Sequence, residues 1–408
     1  MSRVVNNQYV VANDGFQAVS VPNSVRFPAM PSPIGGQVHR KYATSTSANV
    51  LGAGETIQFE VPAKGLIMPG TFMKFKIQTQ NAGGAGNSIT LGHSSQVIRR
   101  LEVRVGSSST DNISSYNKIY SLLKLANMPT TYANSDGKVL EFIDEQLPVN
   151  ATAPAWSDAT ELVCPLLSGI FTHEKAIPAE LFNAPITVTI ELAPATDLGN
   201  DGQTYRITEP KLYYDVCEMP PEYYMALRAE LASQGILKLD YTTFTSHQYG
   251  VGGGGQLNAQ LAENCSSLLG ILAGAQINAD VGTSAQGNLF NRNGWDYAEF
   301  RVDGSLDPSY RIDSPILSYC NVQKMFSSLF DVDHTGFVNR DVYMGASYYY
   351  GLNTTRYHEA NLSQTGTAVK NNIEVLVSGN TNASTHYLFS IKQYSLLIDP
   401  TGNVQIAK

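Results

Sequence analysis

The sequence predicts a mainly β protein built as two tandem antiparallel sandwiches, and three observations predict it. Apolar and polar residues alternate with a period of two in segment after segment, as in Ile57-Gln-Phe59-Glu-Val61 and Ile186-Thr-Val188-Thr-Ile190-Glu-Leu192. The 408 residues include 34 Gly and 19 Pro, which supply many turns, and only 15 % are charged, against about 25 % in an average soluble protein. The order of elements in the first half then recurs in the second.

Residues 1–50 are polar and rich in Val, Asn, Ser and Pro, with a turn-rich PAMPSPIGG at 28–36. They read as an extended arm followed by a first strand. An arm with no core of its own commonly orders on a neighbouring subunit. From residue 55 the strands follow: Ile57–Val61, Met73–Ile77 and Leu101–Val105, the last stopped by Gly106. Each has one apolar and one polar face, the mark of antiparallel sheet with one wet side. The period changes at 113–127, where Ile113, Tyr116, Ile119, Tyr120 and Leu123 predict an amphipathic helix. Asp111, Asn112 and Ser114 offer it cap oxygens and Pro129 follows its end. Residues 148–160 carry loop chemistry. Then come the strand Ile186–Leu192, a loop holding Gly199 and Gly202, and strand again at Tyr205–Ile207 and Lys211–Val216. Residues 220–235 predict a helix, with Pro220 and Pro221 at its start and Gly235 at its end. One helix between two β-rich halves reads as a connector.

The second half repeats the plan. Tyr241–Tyr249 and Leu268–Leu272 read as strands around a glycine loop at 252–255 expected to be mobile. Tyr297–Val302 ends in Asp303-Gly304 as Leu101–Val105 ended in Gly106. A helix-like segment at 319–330 answers the one at 113–127. Ile373–Val377 answers Ile186–Leu192, and Tyr387–Ile391 with Tyr394–Ile398 answers Tyr205–Val216. Partners stand roughly 180–205 residues apart, which predicts tandem duplication of one β-domain of about 170 residues.

Composition removes several functions. The net charge is −8 and no run of five basic residues occurs, so no basic nucleic-acid arm is expected. The start lacks the apolar stretch of a signal peptide, and the most apolar segment, Leu268–Ala275, is short and broken by Gly270 and Gly274. Cys164, Cys217, Cys265 and Cys320 lie about fifty residues apart, which suits neither a zinc site nor a disulfide scaffold. They read as small buried hydrophobes in a reducing compartment. The seven histidines are scattered, no nucleophile elbow is present, and the glycines at 250–255 lack the Lys-Ser/Thr of a phosphate loop. Asp331, Asp333, Thr335, Gly336 and Asn339 follow the order of a calcium loop, but Val342 stands where a bidentate Glu is needed and no exiting helix is expected after it. An Asp/Gly turn is the ordinary reading and a weak cation site the sharper one. Tyr348-Tyr-Tyr350, Tyr213-Tyr214 and Tyr223-Tyr224 suit packing and interface burial, or stacking on sugars.

Two β-rich halves, each with a helix after an early strand and joined by a short helix, resemble the double jelly-roll major capsid proteins of adenovirus-like, large eukaryotic DNA and tailless icosahedral bacterial viruses. Ile177-Pro178-Ala-Glu-Leu181-Phe-Asn-Ala-Pro185, ahead of Ile186–Leu192, is similar to the segment before a late strand of that family's first jelly roll. The aromatic-His/Glu residues of the large eukaryotic viruses are missing there, and the chain is short for the family, so a bacteriophage is the expected source. The resemblance implies two eight-stranded jelly rolls at 51–218 and 237–408, an arm and first strand at 1–50, and a connecting helix at 219–236. It implies a virion protein made in the host cytoplasm, forming homotrimeric pseudo-hexagonal capsomers of an icosahedral shell. Its partners would be neighbouring capsomers, minor capsid or penton proteins and an internal membrane, with no direct nucleic-acid binding. No cofactor, metal or catalytic residue is implied, and no enzyme activity. The alternative is a carbohydrate-binding or glycan-cleaving β-sandwich. That reading draws on Asp240, Glu299 and Glu359, two of which would have to face each other at about 5–10 Å. A fibre or adhesin module is a third reading.

Overall fold

Alternation places the apolar side chains of each strand on one side, and these sides face each other in two pairs of sheets. The computed structural model describes residues 2–5, 8–11, 19–20, 36–81, 88–141, 143, 145–148, 155–173, 175–198, 203–280, 289–326, 340–345, 347–357 and 364–408. The first pair is formed by β1 (Gln37–Thr44), β2 (Thr56–Val61), β3 (Phe72–Asn81), β4 (Ile98–Val105), β5 (Ser108–Ser114), β6 (Thr160–Pro165), β7 (Ile186–Leu192) and β8 (Gln203–Glu218). One sheet runs β1-β8-β3-β6 and the other β2-β7-β4-β5, all antiparallel. The second pair is formed by β9 (Leu237–Val251), β10 (Leu257–Ala262), β11 (Cys265–Ile277), β12 (Tyr297–Val302), β13 (Ser305–Leu306), β14 (Tyr350–Asn353), β15 (Asn372–Ser378) and β16 (Ser384–Ile398). Its sheets run β9-β16-β11-β14 and β10-β15-β12-β13. Adding eight to each strand of the first order gives the second. Pairing of first with last strand, then inward, is the winding of a jelly roll. The fold is a double jelly roll, and the duplication read from the order of elements is a duplication of topology.

Register follows from side-chain shape. Ile57, Ile190, Leu101 and Ile113 stand opposite one another across β2, β7, β4 and β5. All four are buried, and branched aliphatic neighbours of this kind are the unit of sheet stabilisation. Met73, Phe75 and Ile77 face them from β3.

Several elements differ from the sequence reading. The segments at 205–207 and 211–216 are one strand, β8, interrupted by a register shift between Thr208 and Lys211. Glu209 adopts φ 52° there, and Pro210 has no N–H to give the ladder. The segments at 387–391 and 394–398 likewise join as β16. The helix expected at 113–127 is α1 (Tyr116–Asn127). Its first residues are strand instead, and none of Asp111, Asn112 and Ser114 caps it. The cap position is Ser115, with φ 52° and no side-chain hydrogen bond. The helix expected at 220–235 is α2 (Pro221–Gln234), closed by Gly235 at φ 81° and exposed apart from a few residues such as buried Leu231. The later helix is α3 (Pro315–Met325), ahead of its expected span, of which 327–330 lie outside the described residues. The calcium-like loop at 331–339 also lies outside them, but a five-residue helix, Arg340–Met344, occupies the segment where none was expected. Gly254 is tied to Asn380 by a 2.8 Å backbone bond, so the glycine loop is a closed turn. Within residues 1–50, β1 is an edge strand of the first sandwich, and Ser2–Val5, Gln8–Val11 and Val19–Ser20 form a small antiparallel sheet.

Candidate assembly surfaces

The two sandwiches meet where β5 of the first lies on β9 of the second. Tyr241 Oη donates to the Thr110 carbonyl at 3.0 Å, and Thr243 Oγ1 donates to Asp111 Oδ1 at 2.7 Å. The second oxygen of Asp111 accepts from Ser168 Oγ at 2.6 Å and from the Gly169 N–H at 3.1 Å. Asp111 is buried. Burial pushes its carboxyl up to about 6, against the pull of Ser168, Thr243 and the Gly169 N–H. A residue that reads as a helix cap therefore pins one jelly roll to the other. Its neighbours in sequence are all ordinary turn and strand residues, so only the spatial approach of Thr243 reveals this. Further bonds close the joint: Gln323 Nε2 of α3 donates to the Ala126 carbonyl of α1 at 2.8 Å, and Ser108 Oγ donates to the Val404 carbonyl at 2.6 Å.

The joint also explains one glycine. A Cβ on Gly169 would strike the Tyr241 ring and the Thr242 carbonyl. Gly169→Ala is expected to cost about 1–3 kcal/mol by overpacking, seen as a lowered melting temperature in calorimetry. An unchanged melting curve would contradict this close approach.

A second buried polar group lies in the second jelly roll. Lys392 Nζ donates to Glu263 and, at 2.8 Å, to Thr245 Oγ1, while His247 Nε2 stands 2.9 Å from Glu263 Oε1. Burial raises the Glu263 carboxyl, but the His247 bond and the Lys392 charge outweigh it and hold the group below its usual range. Sequence reading missed this set because Lys392 lies more than a hundred residues from Thr245, His247 and Glu263.

The residues singled out for other chemistry do not converge. Tyr348, Tyr349 and Tyr350 are fully buried, with Tyr343 Oη bonded to the Tyr349 carbonyl at 2.9 Å, so they pack a core and present no face to a sugar. Asp240 lies on β9 beside Lys238 and Ser395, whereas Glu299 lies on β12 in the opposite sheet, paired with Arg311 at 3.0 Å. Glu359 is outside the described residues. A polar groove of about 500 Å³ runs along the joint past His173, Lys175, Lys238 and Asp240. His173 is engaged there, Nε2 donating to the Asp240 carbonyl at 3.0 Å and Nδ1 accepting from the Lys175 N–H at 3.0 Å. Among the described residues, no three His, Cys, Asp or Glu side chains gather as a metal site. All four cysteines are free, and burial pushes the Cys164 thiol up to about 12, which leaves it unreactive.

What the surface offers instead is edge and apolar area. Tyr42, Tyr213 and Phe72 stack across the outer face of β1, β8 and β3, with centroids 5.6 and 5.3 Å apart. Ion pairs Arg40–Asp215, Lys41–Glu218 and Lys76–Glu209 surround them.

No family model and no curated protein matches the sequence. Solved structures do match. The PBCV-1 virus capsid aligns with a TM-score of 0.64 at 12 % identity, over 93 % of this chain and 98 % of that one. The Faustovirus major capsid protein aligns at 0.58 and 9 % identity, over 94 % and 95 %. The STIV MCP aligns at 0.52 and 10 % identity, over 87 % and 96 %. Along nearly its whole length, this chain carries the double jelly-roll fold of those capsid proteins.

Proposed function

We propose that this chain is the major capsid protein of an icosahedral virus, a structural subunit whose work is geometric. The observation that carries the reading is that the likeness to capsid proteins spans both sandwiches and the joint between them. The joint supports it physically. Two jelly rolls held side by side by buried polar bonds form one rigid block, and three such blocks give a pseudo-hexagonal outline that tiles a shell. Low charge and abundant Tyr, Asn and Ser suit wide polar contacts between copies. In this reading the two units divide at α2. Four free thiols fit synthesis in a reducing host cytoplasm. With a net charge of −8, the inner surface faces a membrane or minor capsid proteins rather than gripping the genome.

The test is the mass of the purified protein in solution. Light scattering at micromolar concentration is expected to give three times the chain mass of 44.3 kDa, with hexagonal outlines in negative stain. A stable monomer under those conditions overturns the proposal.

A further inference from the structure

One buried acid of the first jelly roll takes no part in the joint. Glu141 follows the short helix Asp136–Leu140 and is 1 % exposed. Its carboxyl accepts from two phenols, Oε2 from Tyr120 Oη at 2.8 Å and Oε1 from Tyr132 Oη at 2.7 Å. Both oxygens serve as acceptors, the pattern of an ionised carboxyl. Burial, and then the nearby Glu141, push both hydroxyls above their usual range, so they stay donors. Among the described residues no Lys, Arg or His pairs with Glu141. Lys138 is held by Glu145 at 3.2 Å, and Lys124 Nζ donates to the Gly92 carbonyl at 2.7 Å. Phenols satisfy hydrogen bonds but bring no charge, and a buried anion without a counter-ion is costly.

Glu141 also lines an open apolar groove of about 470 Å³. Its walls include Tyr120, Leu123, Met128 and Tyr132, with Leu167 beyond β6 and Phe244 of β9. Leu123, Met128 and Leu167 are only half-buried, so their apolar surface lies open to solvent. The volume falls in the range of sites for single small molecules, which are apolar clefts with a few placed polar groups.

We propose that this groove binds a small amphiphilic cation, a primary ammonium on an apolar chain, with the chain against Leu123, Met128 and Leu167 and the ammonium at Glu141. The match is one of charge and size. Each carboxylate oxygen keeps a lone-pair site beyond its phenol, and an ammonium is the donor that also supplies the missing positive charge. The inference concerns a single chain and does not rest on the shell reading.

Calorimetric titration of the purified chain with three probes that share one tail tests it: n-octylammonium, n-octanol and n-octanoate. Octylammonium is expected to saturate one site per chain with a dissociation constant below about 1 mM, and to bind about tenfold tighter than octanol, a difference of roughly 1.4 kcal/mol. Octanoate is expected to bind weakest. Glu141→Gln keeps an acceptor and removes the charge, and is expected to bring octylammonium to within about twofold of octanol. Leu167→Trp fills the groove and is expected to weaken octylammonium and octanol alike by about tenfold. Circular dichroism must overlay the wild type. If Glu141→Gln unfolds, the order of the three probes on the wild type and the loss in Leu167→Trp decide. Equal affinity for octylammonium and octanol shows a cleft that reads no charge, and a preference for octanoate shows that Lys124 is the group presented. Either result overturns the proposal, as does no saturation by about 10 mM octylammonium, or an undiminished preference for octylammonium in Glu141→Gln. None of these outcomes bears on the shell reading, which the mass in solution decides.

Discussion

Lys392→Met is expected to lower the unfolding free energy by about 3–5 kcal/mol. The Lys392 and Glu263 side chains are 4 % and 3 % exposed, and removal of the ammonium leaves a carboxylate in the interior, 2.9 Å from His247 Nε2. Leaving one buried charge behind costs far more than removing the pair. The double change Glu263→Leu with Lys392→Met is therefore expected to recover most of the loss, and urea unfolding of the three chains measures both effects. The same group sets an acid-side slope. The folded carboxyl of Glu263 is held below its ordinary value of 4.5, so its contribution is present above that pH and lost as pH falls through the folded value. A Lys392→Met chain that loses less than about 1 kcal/mol would show that the pair is not sealed from water.

Asp111 has the opposite sign. Its folded carboxyl is raised from 3.8 to about 6, so the native state holds a proton that the unfolded state has released. Its stabilising contribution is complete below pH 3.8 and is lost as pH rises through about 6. The loss amounts to about 3 kcal/mol at 1.36 kcal/mol per unit. Asp111→Asn cannot titrate. The difference in unfolding free energy between wild type and Asp111→Asn is therefore expected to shift by about 2.4 kcal/mol in favour of the variant between pH 4 and pH 7, read from urea curves at each pH. A constant difference across that range would show that the joint leaves Asp111 solvated. Because Thr243 of the second jelly roll is one of its donors, this titration acts on the contact between the two halves.

The strands were the most legible part of the chain. Ile57–Val61, Ile186–Leu192 and Tyr297–Val302 alternate on the page as they do in the fold, because one wet face and one buried face leave a period of two. Legibility failed at Asp111, where cap chemistry and strand position compete and a partner 132 residues away decides. It failed again at α1, whose buried face includes Lys118 and Lys124. The Lys124 ammonium reaches the Gly92 carbonyl at 2.7 Å, and a hydrophobic period cannot announce a buried lysine. The tyrosines at 348–350 could be read as core or as surface, because Tyr serves either; three residues in a row are buried only because α3, Trp295 and Tyr343 enclose them from several sides.

By itself the sequence determined the class of fold, the near-repeat of one β unit and the place of the helix at 221–234, since these depend on local periodicity, turn chemistry and element order. Tertiary structure alone decided which strands pair, that β5 seals onto β9, and that Asp111, Glu263 and Lys392 are held in the interior. Those outcomes depend on which distant groups come within hydrogen-bond reach once both sheets have closed, and no local pattern in a chain encodes that distance.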